Sequence, residues 1–371
     1  MDLNLNYSVG KPVRSDFGIG VVGAGFIIRD VQLKAYKDAG FRVLAIASRT
    51  REKAEEVAAV REIPNVYTNV EEMLKDSAVE ILDIAVPPHE QIQIVREAVS
   101  KGRYLKGILA QKPLAVNYEQ AIEIVRICEE RKIPLAVNQN MRYDQSIRAL
   151  KTLVERGVLG KPVLATIEMR AVPHWQTWLR DYGRLTLLNM SIHHIDSFRY
   201  LFGEPQSIFV SARKDPRTQF AHEDGICLYV LEYPDGMRAS AWDDVWAGPR
   251  TEQDDLKPYI KWRVEGTDGL AEGTIGWPSY PNRTPSTLTF TSIAQPGIWI
   301  SPRWPEVWFP DAFQGPMADL MNAIATRTVP ACNGADNLGT MAIIEAGYRS
   351  MREHRAVQIW EVRSDSPTAG T

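Results

Sequence analysis

The residues best suited to carry chemistry stand in one short segment, Asn-Met-Ser-Ile-His-His-Ile-Asp, which runs from Asn189 to Asp196. Asn189, His193 and Asp196 are separated by four and three residues, so on a helix they share one face, whereas His194 points elsewhere. A histidine with an ordinary pKa of about 6.5 can take a proton at neutral pH, which is what alcohol oxidation requires. The alternative interpretation is structural, with Asp196 anchoring the helix and His193 a buried polar group.

A second candidate is Lys112, which stands between Gln111 and Pro113 after the apolar stretch from Tyr104 to Leu109. We place this lysine at the carboxyl end of a parallel strand, the edge where open parallel sheets bind ligands. An ammonium group there can be held beside a reacting hydroxyl, and the following proline stiffens its loop. The position therefore predicts a catalytic or substrate-binding cation.

Gly23 and Gly25 mark a turn suited to a dinucleotide. Phe17 to Val22 is an apolar strand and Ala24 to Lys37 is typical of a helix. In such a turn the first glycine takes backbone angles that a side chain forbids, and the second lets the backbone approach a pyrophosphate at the helix N-terminus. Ile28 replaces the third glycine of the G-x-G-x-x-G fingerprint, so the match is partial and a plain strand-to-helix turn is the alternative.

The end of the next predicted strand, Phe41 to Ala47, bears on which nucleotide binds. Sites selective for NAD usually carry an acidic residue there, whereas this chain has Ser48 and Arg49. Ser48 can donate to a hydroxyl or a phosphate, and Arg49 can pair with a 2′-phosphate or stack on adenine. We therefore predict NAD or NADP as cofactor, with affinities that differ by less than about a hundredfold.

Strands and helices alternate through the first part of the chain, which predicts βαβ units and a doubly wound parallel sheet. We assign residues 16–140 to this α/β Rossmann domain and expect residues 1–15 to be a flexible leader. Besides the segments already named, the predicted helices are 51–60, 71–75, 91–101 and 118–131, and the predicted strands are 81–86 and 134–137.

After residue 140 several strands follow one another without helices between them. This order predicts an α+β domain over residues 141–363, with a large mixed or antiparallel sheet. The predicted strands are 163–172, 207–212, 226–233, 237–246, 259–265 and 288–292, and the predicted helices are 145–156, 187–201, 313–326 and 337–353. An exposed face on this sheet would favour self-association, so we predict a homo-oligomer.

Bulk properties exclude several classes of protein. At 371 residues the chain is too long for one ordinary core, so two domains are expected. A net charge of -3 without a dense Lys/Arg block argues against nucleic-acid binding. Cys128, Cys227 and Cys332 lie far apart in the sequence, with no C-x-x-C pair. We therefore expect reduced thiols in a cytosolic protein and neither a disulfide framework nor a zinc site. No apolar run predicts a signal peptide or a membrane span, so we expect a cytoplasmic protein with no membrane partner.

A divalent metal is the remaining cofactor question. His193, Asp196 and Glu168 offer imidazole and carboxylate ligands that would suit such an ion. No strong signature supports this arrangement, so we predict no metal site.

With these motifs in order, the chain resembles the oxidoreductase family that includes glucose–fructose oxidoreductase, inositol dehydrogenase and the rhizopine catabolism protein MocA. The resemblance covers nearly the whole length. It rests on residues 23–27, Gly-Ala-Gly-Phe-Ile; 111–115, Gln-Lys-Pro-Leu-Ala; 140–143, Asn-Met-Arg-Tyr; 193–196, His-His-Ile-Asp, with Arg199 and Gly203; and 262–269, Trp-Arg-Val-Glu-Gly-Thr-Asp-Gly.

The resemblance implies a nicotinamide-dependent dehydrogenase of sugars or polyols, with Lys112 and His193 as the catalytic pair and Asn189 orienting the substrate or the lysine. An aldose oxidised to a lactone is the favoured substrate class, with a pentose such as apiose as a candidate, and oxidation of a polyol to a ketose is the other option. The predicted cofactor-binding residues are Gly23, Gly25, Phe26, Ile27, Ser48, Arg49, Pro87, Pro88, Gln111 and Lys112. The predicted substrate-binding residues are Lys112, Arg142, Trp175, Arg180, Asn189 and His193. Core packing is an equal alternative for Trp175 and its neighbour Trp178.

The chain departs from the family pattern at two positions. Gln111 stands where the family usually has Glu, and Asn189 stands where many polyol-oxidising members have Asp. Both changes remove a negative charge and keep hydrogen bonding. We expect their effect to be a more strictly cationic Lys112 and a less basic His193.

Two other functions remain open. An enzyme could keep its nucleotide tightly bound and use it transiently, for epimerisation or glycoside cleavage. A non-catalytic, nucleotide-dependent sensor is also conceivable because two carboxylates are lost, although the presence of Lys112 and His193 argues against it.

Overall fold

The computed structural model describes residues 4–171, 177–246, 248 and 257–364. The chain divides into two compact units and passes between them four times. The Rossmann unit comprises Val9–Asn140 and Pro310–Leu338. The C-terminal unit comprises the described parts of Met1–Ser8, Met141–Phe309 and Gly339–Thr371. In the described part of the chain, no helix is long and apolar enough to span a membrane.

The Rossmann unit contains a parallel sheet, as the alternation of strands and helices predicts. Its strands are β1 (Ile19–Val22), β2 (Val43–Ala47), β3 (Asn65–Tyr67), β4 (Ile81–Ile84), β5 (Gly107–Ala110) and β6 (Leu135–Val137). Their spatial order is β3-β2-β1-β4-β5-β6, the order typical of dinucleotide-binding sheets. Every residue of β1, β4 and β5 is buried, because helices cover both faces of a doubly wound sheet.

The helices of this sheet begin after a π-helical segment, Ile27–Gln32, that leads into the first α-helix. They are α1 (Leu33–Ala39), α2 (Arg51–Arg61), α3 (Val70–Met73), α4 (Pro88–Lys101) and α5 (Tyr118–Glu130). The Asn117 side chain caps α5 by accepting a hydrogen bond from the backbone N–H of Gln120. In α5 the buried residues recur at helical spacing, so the helix presents one apolar stripe to the sheet.

The C-terminal unit contains the large mixed sheet that was predicted. Its strands are β7 (Pro162–Arg170), β8 (Ser207–Arg213), β9 (Ile226–Glu232), β10 (Arg238–Asp244), β11 (Tyr259–Gly266), β12 (Gly269–Ile275), β13 (Thr287–Ser292) and β14 (Val357–Gln358). Their order is β13-β12-β11-β7-β10-β9-β8-β14. Strands β7 and β10 pair in parallel and the other neighbours are antiparallel.

The remaining helices are α6 (Gln145–Glu155), α7 (Thr186–Asn189), α8 (Ser191–Phe202), α9 (Gln314–Thr326), α10 (Gly334–Glu353) and α11 (Ile359–Ser364). Of these, α9 belongs to the Rossmann unit, where Met317, Leu320 and Met321 join the hydrophobic core of β1 and β5. The division therefore differs from two successive domains meeting at residue 140, because the apolar face of α9 is buried on the first sheet.

Two described residues of the predicted flexible leader contact the fold. Leu5 is buried, and its backbone oxygen accepts a hydrogen bond of 2.7 Å from the Thr152 hydroxyl. Further along, the backbone N–H of Val13 donates to the Asn322 side chain at 2.8 Å. The apolar side chain of Leu5 and these backbone hydrogen bonds tie the segment to the fold.

The prediction of one helix over residues 187–201 is also wrong. The helix is interrupted at Met190, whose φ of −109° departs from the usual helical value of about −63°. Asn189 therefore ends α7, while His193 and Asp196 lie on α8. The four-residue spacing of Asn189 and His193 crosses a break, so it does not by itself place them on one helical face.

Candidate active site

The glycine turn after β1 has the geometry that a dinucleotide turn requires. Gly23 has a φ of +113°, and a Cβ atom there would lie 2.3 Å from the backbone oxygen of Ala85. Only glycine fits this position without strain. A Cβ on Gly25 would meet nothing within 4 Å, so its backbone is open to an approaching ligand. The turn therefore fits a bound pyrophosphate.

The helix after this turn differs from the α-helix that was predicted. Residues Ile27–Gln32 form a π-helix, and Ile28, which replaces the third fingerprint glycine, is buried. That glycine normally allows close packing of helix on strand. The wider π turn lies where a larger side chain has to be accommodated, and π turns are frequent at functional sites.

Arg49, which follows β2, is paired with an acidic residue from another segment. Its Nη2 atom lies 3.0 Å from Oε1 of Glu90, in the first turn of α4. The Arg49 side chain is 84% exposed and that of Glu90 is 19% exposed. Our sequence analysis missed Glu90. The signal was available in the sheet order, because β2 and β4 flank β1 and their carboxyl ends meet at one edge.

The other predicted cofactor-binding residues lie in the same unit. Pro87 and Pro88 begin α4, with Pro88 in the first helical turn where a missing N–H is tolerated. Phe26 is exposed and Ile27 is half-buried beside the glycine turn. The backbone N–H of Ser48 donates a hydrogen bond of 3.2 Å to the backbone oxygen of Tyr67. These positions are compatible with nucleotide contact, and their individual roles stay predictions.

Lys112 follows the end of β5, as predicted, and the residues on both sides of it are bonded to one buried side chain. Nε2 of Gln91 donates to the backbone oxygens of Gln111, at 2.9 Å, and Pro113, at 2.8 Å. Oε1 of Gln91 accepts from the N–H of Gln111 at 3.0 Å. Gln91 is a second residue that sequence reasoning missed, because nothing local connects it with a loop 20 residues away.

The expectation that Lys112 is strictly cationic is wrong. Burial lowers the pKa of Lys112 from 10.5 to about 7, because the half-buried ammonium group has lost part of its hydration. Loss of a neighbouring carboxylate also acts in this direction, since an anion would have raised the pKa. Near neutral pH the side chain is thus present in both protonation states.

A buried polar network lies next to the Lys112 loop. Gln111 Nε2 lies 3.5 Å from Oε1 of Gln32, and Nε2 of Gln32 donates to Asp83 at 2.6 Å. The Tyr36 hydroxyl also donates to Asp83, at 2.8 Å. Burial raises the pKa of Asp83 to about 7. A glutamate at position 111 would place a second carboxylate near Asp83, so the neutral Gln111 suits this network.

His193 lies in the first turn of α8 in the C-terminal unit and is buried. Its ring and the ring of Trp308 pack in a T-shaped arrangement, with centroids 5.9 Å apart and planes at 89°. Its backbone oxygen accepts from the Ser197 hydroxyl at 2.7 Å. Packing on Trp308 restricts the orientation of the imidazole, as a general base requires.

Asn189 is positioned by a carboxylate at the start of α7. Asp224 accepts hydrogen bonds from the backbone N–H groups of Leu185, at 2.7 Å, and Leu187, at 2.6 Å. The Tyr348 hydroxyl donates to the same carboxylate at 2.9 Å. Burial raises the pKa of Asp224 to about 6. This cap fixes the four-residue helix that ends at Asn189.

Asp196 and Arg142 form a buried ion pair. Nε and Nη2 of Arg142 donate to the two carboxylate oxygens of Asp196 at 2.6 and 2.7 Å. The Thr340 hydroxyl donates to Asp196 at 2.9 Å. These contacts support the structural interpretation of Asp196 as the anchor of α8. They also give Arg142 a structural role, while its predicted role in substrate binding stays a prediction.

The neighbouring His194 is likewise held inside the C-terminal unit. Its Nδ1 atom lies 3.0 Å from Oδ2 of Asp243 on β10, and the Ser191 hydroxyl donates to the same oxygen. All three side chains are buried. This contact fastens the first turn of α8 to the sheet, beside His193.

Of the remaining predicted substrate residues, Arg180 lies on a 3-10 helix, Thr177–Asp181. Arg180 is exposed, with its guanidinium 5.9 Å from the ring of Phe220. Trp178 packs edge-on against Tyr182, with ring centroids 5.4 Å apart, as a packing residue does. Trp175 lies outside the described residues.

The carboxylates weighed as metal ligands have other partners. Glu168 accepts a hydrogen bond of 2.5 Å from the Tyr259 hydroxyl and lies 3.2 Å from Arg170, while Asp196 is paired with Arg142. Within the described ranges, no three or more His, Cys, Asp and Glu side chains are grouped as a metal site.

Comparison with known proteins gives the same two-part organisation. Residues 17–139 match the model of an oxidoreductase family with an NAD-binding Rossmann fold, and residues 147–272 match the GFO/IDH/MocA C-terminal domain. The matched segments cover the glycine turn, Lys112 and His193. This agreement confirms the predicted resemblance and fold class.

Relatives resemble the chain over most of its length. D-apiose dehydrogenase of Paraburkholderia graminis is 25% identical over 94% of this chain and 91% of its own. D-apiose dehydrogenase of Rhizobium rhizogenes is 25% identical over 91% of this chain and 96% of its own. Among solved structures, an oxidoreductase from Agrobacterium radiobacter in complex with NAD+, L-tartaric acid and magnesium superposes with a TM-score of 0.78, at 22% identity, over 93% of this chain and 99% of that one.

Proposed function

Because the chain belongs to the GFO/IDH/MocA oxidoreductase family, we propose that it transfers a hydride reversibly between NAD(P) and a hydroxyl-bearing carbon of a small carbohydrate. The observation that carries the proposal is Lys112. Its amine stands at the carboxyl edge of an NAD-binding sheet, in a loop held from both sides, with a pKa lowered to about 7. Perturbed titratable groups at ligand-binding edges are typical of active sites.

The proposed chemistry divides between two side chains. His193 takes the proton of the substrate hydroxyl as general base, which contributes typically ~10²–10⁴-fold to a rate. Lys112, in its protonated form, binds the same oxygen and stabilises the negative charge that develops on it. Bound NAD(P)+ supplies the hydride acceptor. Asn189 orients the substrate by hydrogen bonding.

The lowered pKa of Lys112 suits this role. An ammonium group that has lost part of its hydration donates a stronger hydrogen bond to the reacting oxygen in both directions, while protonated His193 returns the proton to the carbonyl oxygen in the reductive direction. Both directions of a reversible dehydrogenase are then served at neutral pH. A fully hydrated lysine with a pKa of 10.5 would donate a weaker hydrogen bond to that oxygen.

The substrate that we propose is an aldose oxidised at its anomeric carbon to a lactone, with apiose as the first candidate. Support comes from two relatives named D-apiose dehydrogenase, whose similarity extends over more than nine tenths of the chain. A polyol oxidised to a ketose is the second class to be tested.

We also propose that the chain forms a homo-oligomer with a second copy of itself. One face of the C-terminal sheet exposes large apolar side chains, those of Phe209, Leu228, Val230 and Trp242. Val230 pairs with Phe209 and Trp242 pairs with Leu228 across neighbouring strands, so the four form one patch. Glu168 and Lys261 stand beside it on β7 and β11, so both signs of charge are available to a self-complementary contact.

The test is a screen of aldoses and polyols, starting with D-apiose, with each nucleotide and with reduced nicotinamide absorbance as the readout. Accumulation of reduced cofactor with a sugar supports the proposal. Nucleotide that co-purifies and never turns over with external NAD(P) would point to transient use, as in epimerisation or glycoside cleavage. Nucleotide binding without turnover of any kind would point to a sensor.

A further inference from the structure

Gln91 is a buried polar side chain whose three hydrogen bonds all go to the backbone around Lys112. It lies on α4 with 0% of its surface exposed. Its amide nitrogen lies 2.9 Å from the oxygen of Gln111 and 2.8 Å from the oxygen of Pro113, and its amide oxygen lies 3.0 Å from the nitrogen of Gln111. The bonded groups therefore bracket Lys112.

The orientation of this amide is dictated by its partners. The two backbone oxygens can only accept, so they must face the NH2 group of Gln91, and the N–H of Gln111 can only donate, so it must face the carbonyl. A flipped amide would place two acceptors against each other and lose all three bonds. The side chain uses both of its donors and its acceptor on one loop.

These bonds define the backbone on each side of the lysine. The N–H of Gln111 also donates to the oxygen of Ile84 at 3.0 Å, which continues the ladder of β4 and β5 up to the loop. After this bond, the hydrogen bonds from the Gln91 side chain hold the loop in the way that a neighbouring strand would. The backbone of Lys112 is therefore held in a fixed position at the sheet edge.

We propose that Gln91 is a positioning residue of the reaction, one that fixes where the Lys112 ammonium group meets the substrate oxygen. This inference rests on the proposed function of Lys112. Misplacement of a catalytic group by about 1 Å can cost on the order of a hundredfold in rate, so loss of the three bonds should be visible in turnover.

The rival explanation is that Gln91 only fills space beneath the loop. Gln91→Met separates the two explanations, because methionine has nearly the same length and volume and makes none of the hydrogen bonds. Gln91→Glu keeps the length and the acceptor, while its carboxylate would face two backbone oxygens that it can contact only when protonated.

The experiment measures kcat and nucleotide Kd for wild type, Gln91→Met, Gln91→Glu and Lys112→Met. Gln120→Met, on α5 of the same unit, is the matched control. For Gln91→Met we expect kcat to fall by roughly 10-fold or more, with nucleotide Kd within about threefold, because the bonds serve the Lys112 loop and not the glycine turn. Gln120→Met should leave both constants unchanged.

A pH series adds a readout that space filling would not move. The ratio of kcat for Gln91→Glu to that for Gln91→Met should rise as the pH falls, because a protonated carboxyl at position 91 regains one donor and a methionine does not. If Gln91→Met does not fold, the ratio of kcat for Gln91→Glu to that for wild type decides instead, and we expect this ratio to fall as the pH rises.

Failure of the inference and failure of the proposed function look different. Wild-type kcat in Gln91→Met and Gln91→Glu, with Lys112→Met inactive, would overturn the role of Gln91 alone. Full activity in Lys112→Met would overturn the role of Lys112 on which the inference rests, and absence of nicotinamide reduction by wild type with every aldose and polyol would overturn the proposed function itself.

Discussion

At the scale of single residues, the chain combines a half-buried lysine, a packed histidine and a nucleotide turn in positions that sequence spacing largely predicted. Lys112 follows the end of β5 and His193 lies in the first turn of α8, close to where the strand and helix patterns placed them. The partners of the Lys112 loop and of Arg49 were not found, because they are distant in sequence and only the order of the strands brings them together. Gln91 and Glu90 are bonded to residues 20 and 41 positions away, and no local pattern carries that information.

The first prediction concerns the stability of a Lys112→Met variant. Since burial lowers the pKa of Lys112 from 10.5 to about 7, the folded chain binds fewer protons than the unfolded chain between these values, and wild-type stability rises with pH there. Removal of the amine should therefore raise the free energy of unfolding at pH 7, by on the order of 1–3 kcal/mol after allowance for partial solvation.

This gain should be full below about pH 7 and should disappear as the pH approaches 10.5. Denaturant unfolding of both proteins at pH 7 and pH 10 measures it, with Lys106→Met, an exposed lysine of the same unit, as control. Equal stability of wild type and Lys112→Met at both pH values would show that Lys112 is well hydrated.

The second prediction concerns nucleotide preference. Glu90 holds the guanidinium of Arg49 at 3.0 Å, so it competes with a 2′-phosphate for that group. Glu90→Gln should strengthen binding of NADP relative to NAD by roughly 3–10-fold, and Ser48→Asp should shift preference toward NAD. Glu55→Gln, which disrupts the exposed pair of Arg51 and Glu55 on α2, is the control.

Calorimetric titration of each variant with both nucleotides measures the ratio of Kd values. We expect a wild-type ratio below about a hundredfold. An unchanged ratio in Glu90→Gln would mean that Arg49 does not contact the 2′ position.

At the scale of elements, the alternation of strands and helices made the Rossmann unit predictable, while short or glycine-containing strands were not predicted. β3 has only three residues, none of them buried. β12 contains Gly273, where a Cβ would lie 2.5 Å from the ring of Trp262, so packing demands a residue of low strand propensity. The break at Met190 was not predicted, because the helical spacing of apolar residues continues through it.

The third prediction belongs to the short helix α7. Asp224→Ala removes the carboxylate that accepts from Leu185, Leu187 and Tyr348, so it should lower the free energy of unfolding by roughly 2–4 kcal/mol. It should also lower kcat, because α7 ends at Asn189. Asn117→Ala, which uncaps α5 in the Rossmann unit, should cost about 1 kcal/mol with no effect on kcat.

Thermal or denaturant unfolding and steady-state kinetics report these two effects separately. Loss of stability with unchanged kcat in Asp224→Ala would show that the position of Asn189 does not matter for turnover.

At the scale of the whole molecule, the chain builds two units that are not successive in sequence. The predicted boundary at residue 140 coincides with one passage between units, but the return of Pro310–Leu338 to the Rossmann unit was not readable from the pattern. The apolar stripe of α9 predicts a buried helix and does not say against which sheet, because burial is non-directional.

The fourth prediction concerns self-association. Trp242, 57% exposed in the patch with Phe209, Leu228 and Val230, is expected to be covered by a second copy. Trp242→Glu should convert the oligomer to monomer, because a charge in a self-complementary contact is buried on both sides. Trp360→Glu, at a residue 65% exposed on α11, should leave the assembly unchanged.

Sedimentation or light scattering across a range of concentrations measures the mass. A monomeric wild type, or an oligomer that survives Trp242→Glu, would contradict the proposed contact.

The central claim is that this chain is a carbohydrate dehydrogenase in which His193 takes the hydroxyl proton and Lys112 holds the oxygen. The most direct measurement is the rate of nicotinamide reduction by wild type, His193→Ala, Lys112→Met and Lys112→Arg with the best substrate of the aldose and polyol screen, alongside nucleotide Kd for each. We predict that His193→Ala loses about 10²–10⁴-fold in kcat with nucleotide Kd nearly unchanged, and that Lys112→Met is inactive. Lys112→Arg should not restore activity, because a planar fork does not replace a compact ammonium group. Turnover of His193→Ala equal to wild type across neutral pH would contradict the account.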